Sequence, residues 1–70
     1  AMIESMVAGL DARLQQNPDD LEGWIRLIRS YRVLDQTARS QQAFRRASDN
    51  FAKDQVALVR LREAFEASAP

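Results

Sequence analysis

Large apolar side chains return along the chain at intervals of three and four residues, which is the spacing of one face of an α-helix. Four stretches carry this pattern, and short polar segments separate them. We expect helices over about residues 3–16, 20–34, 37–51 and 54–68. Because the connections are only a few residues long, neighbouring helices should run antiparallel. The predicted fold is therefore all-α, an array of helical hairpins.

Local chemistry predicts where these helices begin and end. Pro18 ends the first helix, because proline disfavours the helical conformation of the residue before it. Asp19 is the expected N-cap of the second helix, and Glu22, three residues later, would complete a capping box. Asp35 tolerates the left-handed conformation of a tight turn, and Asp54 is the expected N-cap of the fourth helix.

A second period, of 34 residues, relates the helices to one another. Three large side chains of the second helix return in the fourth: Trp24, Leu27 and Tyr31 as Leu58, Leu61 and Phe65. A repeat of this length is typical of stacked hairpins that bury their apolar faces against each other. We therefore expect one domain over residues 1–70, with one full hairpin flanked by two half hairpins. The predicted core consists of Trp24, Leu27, Tyr31, Phe44, Ala47, Leu58, Leu61 and Phe65.

Composition narrows the classes of function. Ten basic and ten acidic residues give a formal net charge of zero, which provides no overall attraction to nucleic acid or to an anionic membrane. The sequence has no cysteine and no histidine, so it lacks the usual ligands of transition metals and a histidine base for a serine nucleophile. No apolar run reaches the roughly 18 residues of a membrane helix. We expect a binding scaffold without catalytic residues, cofactor or metal.

The 34-residue hairpin resembles the tetratricopeptide repeat (TPR). With Leu21 as the first position, five signature positions of that repeat fall on Trp24, Leu27, Tyr31, Phe44 and Ala47. In TPR proteins the first helix of each hairpin lines a concave peptide-binding groove. The resemblance implies an apolar groove with charged rims, suited to an amphipathic helix or an extended peptide that carries carboxylates. Its candidate residues are Glu22, Ile25, Arg29, Arg32, Val33, Val56 and Val59. Arg39, Arg45 and Arg46 are expected to face solvent.

A narrower resemblance is to the CycH family of cytochrome c-type biogenesis proteins, which are CcmI-type chaperones. It is carried by residues 6–14 (MVAGLDARL), 17–27 (NPDDLEGWIRL) and 29–34 (RSYRVL). That family is bacterial and membrane-anchored, and its TPR region faces the periplasm, where it holds apocytochrome c for haem attachment. The resemblance implies that the chain is a periplasmic fragment of a larger membrane-anchored protein. Its implied partners are apocytochrome c and other subunits of the maturation complex.

Two functions stay open at this point. The chain is either a peptide-binding chaperone module or a structural scaffold that bridges subunits of a membrane-associated complex. The last helix also carries more apolar surface than one neighbour can cover, in Val56, Leu58, Val59, Leu61 and Phe65. We therefore expect it to pack against a further helix or to form a homodimer.

Overall fold

The computed structural model describes residues 2–67 of the chain, with side chains for residues 5–67. Four helices follow one another: α1 (Met2–Gln16), α2 (Leu21–Val33), α3 (Thr37–Asn50) and α4 (Gln55–Ala67). No strand occurs among these residues, so the all-α prediction is confirmed. The bounds agree with the predicted ones within one residue, while the predicted end near Ser68 and the side chain of Ile3 lie outside the described residues. None of the helices formed by residues 2–67 combines the length and hydrophobicity that a membrane span requires.

The N-cap of α2 is Asp20, so the prediction of Asp19 is wrong. The Oδ1 atom of Asp20 accepts a hydrogen bond from the backbone N–H of Gly23 at 3.1 Å. Asp19 is engaged elsewhere, because its Oδ1 atom accepts from Nδ2 of Asn50 in α3 at 3.3 Å. Two adjacent aspartates are both suitable caps, and a contact from another helix decides between them.

The turns on either side of α3 follow the predicted chemistry. Asp35 has a φ of 60°, the left-handed conformation that lets the chain reverse between α2 and α3. The Oδ1 atom of Asp54 accepts from the backbone N–H of Ala57 at 3.1 Å, which confirms Asp54 as the N-cap of α4. Short connections of this kind hold successive helices side by side.

The central helix is α2, which contacts α1, α3 and α4, while α3 also contacts α4. Helices α2 and α3 run antiparallel, as two side-chain contacts show. Oγ of Ser40 donates to the carbonyl of Ile28 at 3.0 Å, and Nδ2 of Asn50 donates to the carbonyl of Pro18 at 2.7 Å. The buried Ser40 hydroxyl is satisfied in this way and costs little to bury.

The core lies between α2 and its three neighbours. Trp24 is only 2% exposed, and most of the other predicted core side chains are buried with it: Leu27, Tyr31, Ala47 and Leu61. Phe44 and Phe65 are half-buried, and their rings stack with centroids 5.2 Å apart. Leu58 is also half-buried. Residues that the prediction omitted complete the core: Val7, Leu14, Ile25, Ile28, Ala43, Ala57 and Ala64.

A polar network covers one side of this core. Nη1 of Arg46 in α3 donates to Oδ1 of Asp11 in α1 at 3.0 Å, and its guanidinium lies 5.1 Å from the centre of the Trp24 ring. Arg46 is exposed, as predicted, but it also joins α1 to α3 and covers the indole. The hydroxyl of Tyr31 donates to Oδ2 of Asp11 at 3.4 Å, and Nε1 of Trp24 donates to the carbonyl of Pro18 at 2.8 Å. Burial, followed by the charge of Asp11, raises the pKa of Tyr31 above its usual value.

Candidate peptide-binding surface

The candidate groove residues lie on α2 and α4, and two side-chain contacts join these helices. Nη2 of Arg60 donates to Oε1 of Glu22 near the start of α2, and the two side chains form an ion pair. The guanidinium of Arg32 lies 4.8 Å from the centre of the Phe65 ring, near the end of α2. The contacts advance in the same direction along both helices, so α2 and α4 run parallel. Glu22 therefore pairs with α4 and does not close the predicted capping box.

We call the exposed surface of these two helices the groove face, and its apolar members are three valines. Val33 is 79% exposed, Val56 is 71% exposed and Val59 is 50% exposed. Val33 lies in the last turn of α2, whereas Val56 lies in the first turn of α4. Since the helices are parallel, both ends of the groove face present apolar contact area. The remaining members are Glu22, Arg29 and Arg32.

Ile25 does not belong to the groove face, although the TPR resemblance places it there. Its side chain is 8% exposed and forms part of the core cluster. The helical spacing of Ile25 from Glu22 and Arg29 is right for a shared face. The packing of neighbouring helices over α2 is wider than that spacing suggests, so Ile25 stabilises the fold and is not available to a ligand.

The two candidate arginines differ in their surroundings. Arg32 is half-buried against Phe65, and its Nε atom is buried without a hydrogen-bond partner among the described residues. Its guanidinium thus supports the contact between α2 and α4. Arg29 is exposed, and no ion pair of its guanidinium is seen within residues 5–67. Of the two, Arg29 is the cation that a ligand on the groove face can reach.

A second concave region lies between α1 and α2, and sequence reasoning missed it. This α1–α2 cleft has a volume of about 460 Å³ and is lined by Met6, Val7, Gly9, Leu10, Arg13, Arg26 and Ser30. It combines an apolar floor with two cationic side chains. The 34-residue interval could have revealed it, because several of these positions correspond to positions of α3 that α2 buries.

The chemistry offered by these surfaces is that of contact and ion pairing. Within the described part of the chain, no group of three or more histidine, cysteine, aspartate or glutamate side chains could hold a metal ion. Among the same residues, the only resolved shift of a pKa belongs to Tyr31, whose hydroxyl is bonded to Asp11. The arrangement suits recognition of a polypeptide through apolar and charged side chains.

Comparison with known proteins identifies relatives that share one name. The chain is 56% identical over 43 residues, or 61% of its length, to cytochrome c-type biogenesis protein CycH of Rhizobium meliloti (strain 1021), of which it covers 11%. It is 41% identical over 66 residues, or 94% of its length, to the protein of the same name from Bradyrhizobium diazoefficiens, of which it covers 18%. No protein-family model matches the chain, and no solved structure does.

These relatives agree with the narrower resemblance drawn from the sequence, while the TPR assignment stays a prediction with which the four helices are compatible. The chain spans less than a fifth of the length of either relative. The chain is thus similar, over most of its own length, to a short part of two proteins named cytochrome c-type biogenesis protein CycH.

Proposed function

We propose that the chain is a polypeptide-binding module of TPR type that serves cytochrome c biogenesis. Its client would be a segment of apocytochrome c, held for haem attachment. The name of the two relatives supports the process. The stacked helices with exposed valines on α2 and α4 support the binding of a polypeptide. By the same resemblance, the module belongs to a larger membrane-anchored protein and faces the periplasm.

The observation that carries this proposal is the composition of the groove face. Val33, Val56 and Val59 expose apolar surface that the described residues leave uncovered. Exposed apolar surface bordered by charge is typical of interaction sites. Arg29 on α2 and Glu63 on α4 supply charges of both signs on helices that pack side by side. An amphipathic helix with a carboxylate near Arg29 would match both the apolar and the cationic part of this surface.

The test is titration calorimetry with a peptide from the C-terminal helix of a c-type apocytochrome. We expect Arg29→Glu to weaken binding by about tenfold, because one ion pair to a ligand carboxylate is worth roughly 1–2 kcal/mol and reversal adds repulsion. Val59→Asp should weaken it as well, since it places a charge on the apolar part of the groove face.

Arg45→Glu is the matched control, because it makes the same change of charge at an exposed position of α3, outside the groove face. It should leave the affinity within about twofold. Equal affinities of the Arg29→Glu and Arg45→Glu variants would contradict the site. Co-purification of the longer protein with a fixed complex subunit, without any client peptide, would support the structural scaffold instead.

A further inference from the structure

The turns that precede α2 and α4 have the same geometry. Oδ1 of Asp20 accepts from the backbone N–H of Gly23 at 3.1 Å, and 34 residues later Oδ1 of Asp54 accepts from that of Ala57 at 3.1 Å. The backbone hydrogen bond to the carbonyl of each cap residue is repeated too, at 3.1 and 3.0 Å. The pair α1–α2 and the pair α3–α4 are therefore equivalent units, related by 34 residues.

In the second unit, α2 itself occupies the space beside α3 and α4. It contacts both helices. Its Ile28 carbonyl accepts from Ser40 of α3, and its Glu22 pairs with Arg60 of α4. As a result, four small side chains on the covered faces are fully or almost fully buried: Ser40, Ala43 and Ala47 of α3 and Ala64 of α4.

In the first unit, the equivalent positions are open. Moving back 34 residues from Ser40, Ala43, Phe44 and Ala47 leads to four residues of α1, and from Arg60 and Ala64 to two residues of α2. All six line the α1–α2 cleft: Met6, Gly9, Leu10, Arg13, Arg26 and Ser30. Met6 is 72% exposed, whereas its counterpart Ser40 is fully buried beneath α2. The cleft is therefore the counterpart of a space that a helix fills elsewhere in the same molecule.

The charges of the cleft indicate what such a helix must carry. Arg26 is the counterpart of Arg60, which pairs with Glu22 in the first turn of α2. Arg13 is the counterpart of Ala47, and the antiparallel register of α2 and α3 places Ala47 opposite the first turn of α2 as well. A helix lying in the cleft as α2 lies in its own place would bring its first turn to both arginines. Because a helix N-terminus carries positive partial charge, this turn needs acidic side chains.

We propose that the α1–α2 cleft receives an amphipathic α-helix from the part of the same polypeptide that precedes α1. Its length would match the 13 residues of α2, with an apolar face over Met6 and Leu10 and acidic residues near Arg13 and Arg26. A helix of the same polypeptide fits because residues 34–36 suffice to join α2 to α3, and an equally short link joins the new helix to α1. The relatives are also much longer than the chain, which covers 11% and 18% of them.

The first experiment extends the chain by the one helix known to fill such a space. Residues 19–36 are duplicated directly ahead of residue 3, which preserves the 34-residue interval. We expect the midpoint of thermal unfolding, followed by circular dichroism, to rise by about 5 °C or more, because an added unit gains stability from the interface with its neighbour. A second version with the natural preceding residues over the same length should rise likewise.

Two exposed residues of the cleft provide matched variants. Met6→Asp and Arg26→Glu should each change the midpoint of the unextended chain by less than about 3 °C, because exposed substitutions cost little. In the extended chain each should remove most of the rise. Replacing the copied Glu22 by arginine in the Arg26→Glu chain should restore it, since the ion pair is then reversed and not lost.

An unchanged midpoint on extension, with either the copied or the natural segment, would overturn the proposal. A rise that persists in the Met6→Asp and Arg26→Glu chains would overturn it too. A mass that increases with protein concentration and falls with Arg26→Glu would assign the cleft to a second copy of the chain. Displacement of the added helix by the apocytochrome peptide would assign it to the client. Client binding is measured separately by calorimetry, so the two proposals can fail independently.

Discussion

Removal of the Trp24 side chain is the sharpest test of the packing described above. The indole is 2% exposed at the centre of the core. An aromatic side chain of this size buries about 150–250 Å², which corresponds to roughly 4–6 kcal/mol of transfer free energy as an upper value. Measured substitutions of buried aromatic residues by alanine cost about 3–5 kcal/mol. We expect Trp24→Ala to lower the free energy of unfolding by that amount.

Polar contacts of Trp24 add less to this loss. Its Nε1–H donates to the carbonyl of Pro18 at 2.8 Å, a bond worth about 1 kcal/mol. The carbonyl is not left unpaired when the indole is removed, because Nδ2 of Asn50 also donates to it at 2.7 Å. The guanidinium of Arg46 over the ring is partly exposed and contributes about 0.5–1 kcal/mol. Burial of the ring therefore accounts for most of the expected loss of stability.

The assay is urea and thermal unfolding followed by the helical circular dichroism signal, since the substitution removes the fluorophore. A domain of this length has a total stability of only about 4–10 kcal/mol. Trp24→Ala should therefore be largely unfolded or melt at least 12 °C below the parent, at about 4 °C or more per kcal/mol. Trp24→Phe keeps most of the ring burial and should cost less than half as much, while the exposed Val33→Ala should cost under about 0.5 kcal/mol. A cooperative melt of Trp24→Ala within about 4 °C of the parent would refute the reasoning.

Three further predictions concern local chemistry. Gly23→Ala should not give the gain of roughly 1 kcal/mol expected from helix propensity, because an added Cβ would lie 2.8 Å from the Asp20 carboxylate that caps α2; chemical denaturation should show a smaller loss for this change in an Asp20→Ala background than in the parent. Asp54→Ala should cost about 1 kcal/mol through loss of the α4 cap, and a midpoint equal to that of the parent would rule out this role. Because burial and Asp11 raise the pKa of Tyr31, its contribution to stability is complete below the unfolded value of about 10 and is lost as pH rises through the folded pKa. Tyr31→Phe should therefore lose less stability than the parent between about pH 8 and pH 11, and parallel losses would contradict this.

The groove face was only partly predictable from the sequence. Helical spacing correctly places Val33, Val56 and Val59 at exposed positions, because side chains opposite the core of an amphipathic helix face outward. The same spacing does not show how far neighbouring helices wrap around α2. That wrapping buries Ile25 and draws Arg32 onto Phe65. The α1–α2 cleft was missed because it is defined by two helices together and by neither one alone.

The sequence by itself determined the features that depend on residues close in the chain. These are the four helices, the left-handed turn at Asp35, the cap at Asp54 and the recurring apolar positions, since backbone preferences and short-range hydrogen bonds act within a few residues. Only the tertiary structure decided that Asp20 caps α2 and that Arg46 joins α1 to α3. Asn50 and Asp11, which engage the competing groups, lie 31 and 35 residues from their partners in the chain. Such choices depend on which helices meet and in what register, and local sequence does not contain that information.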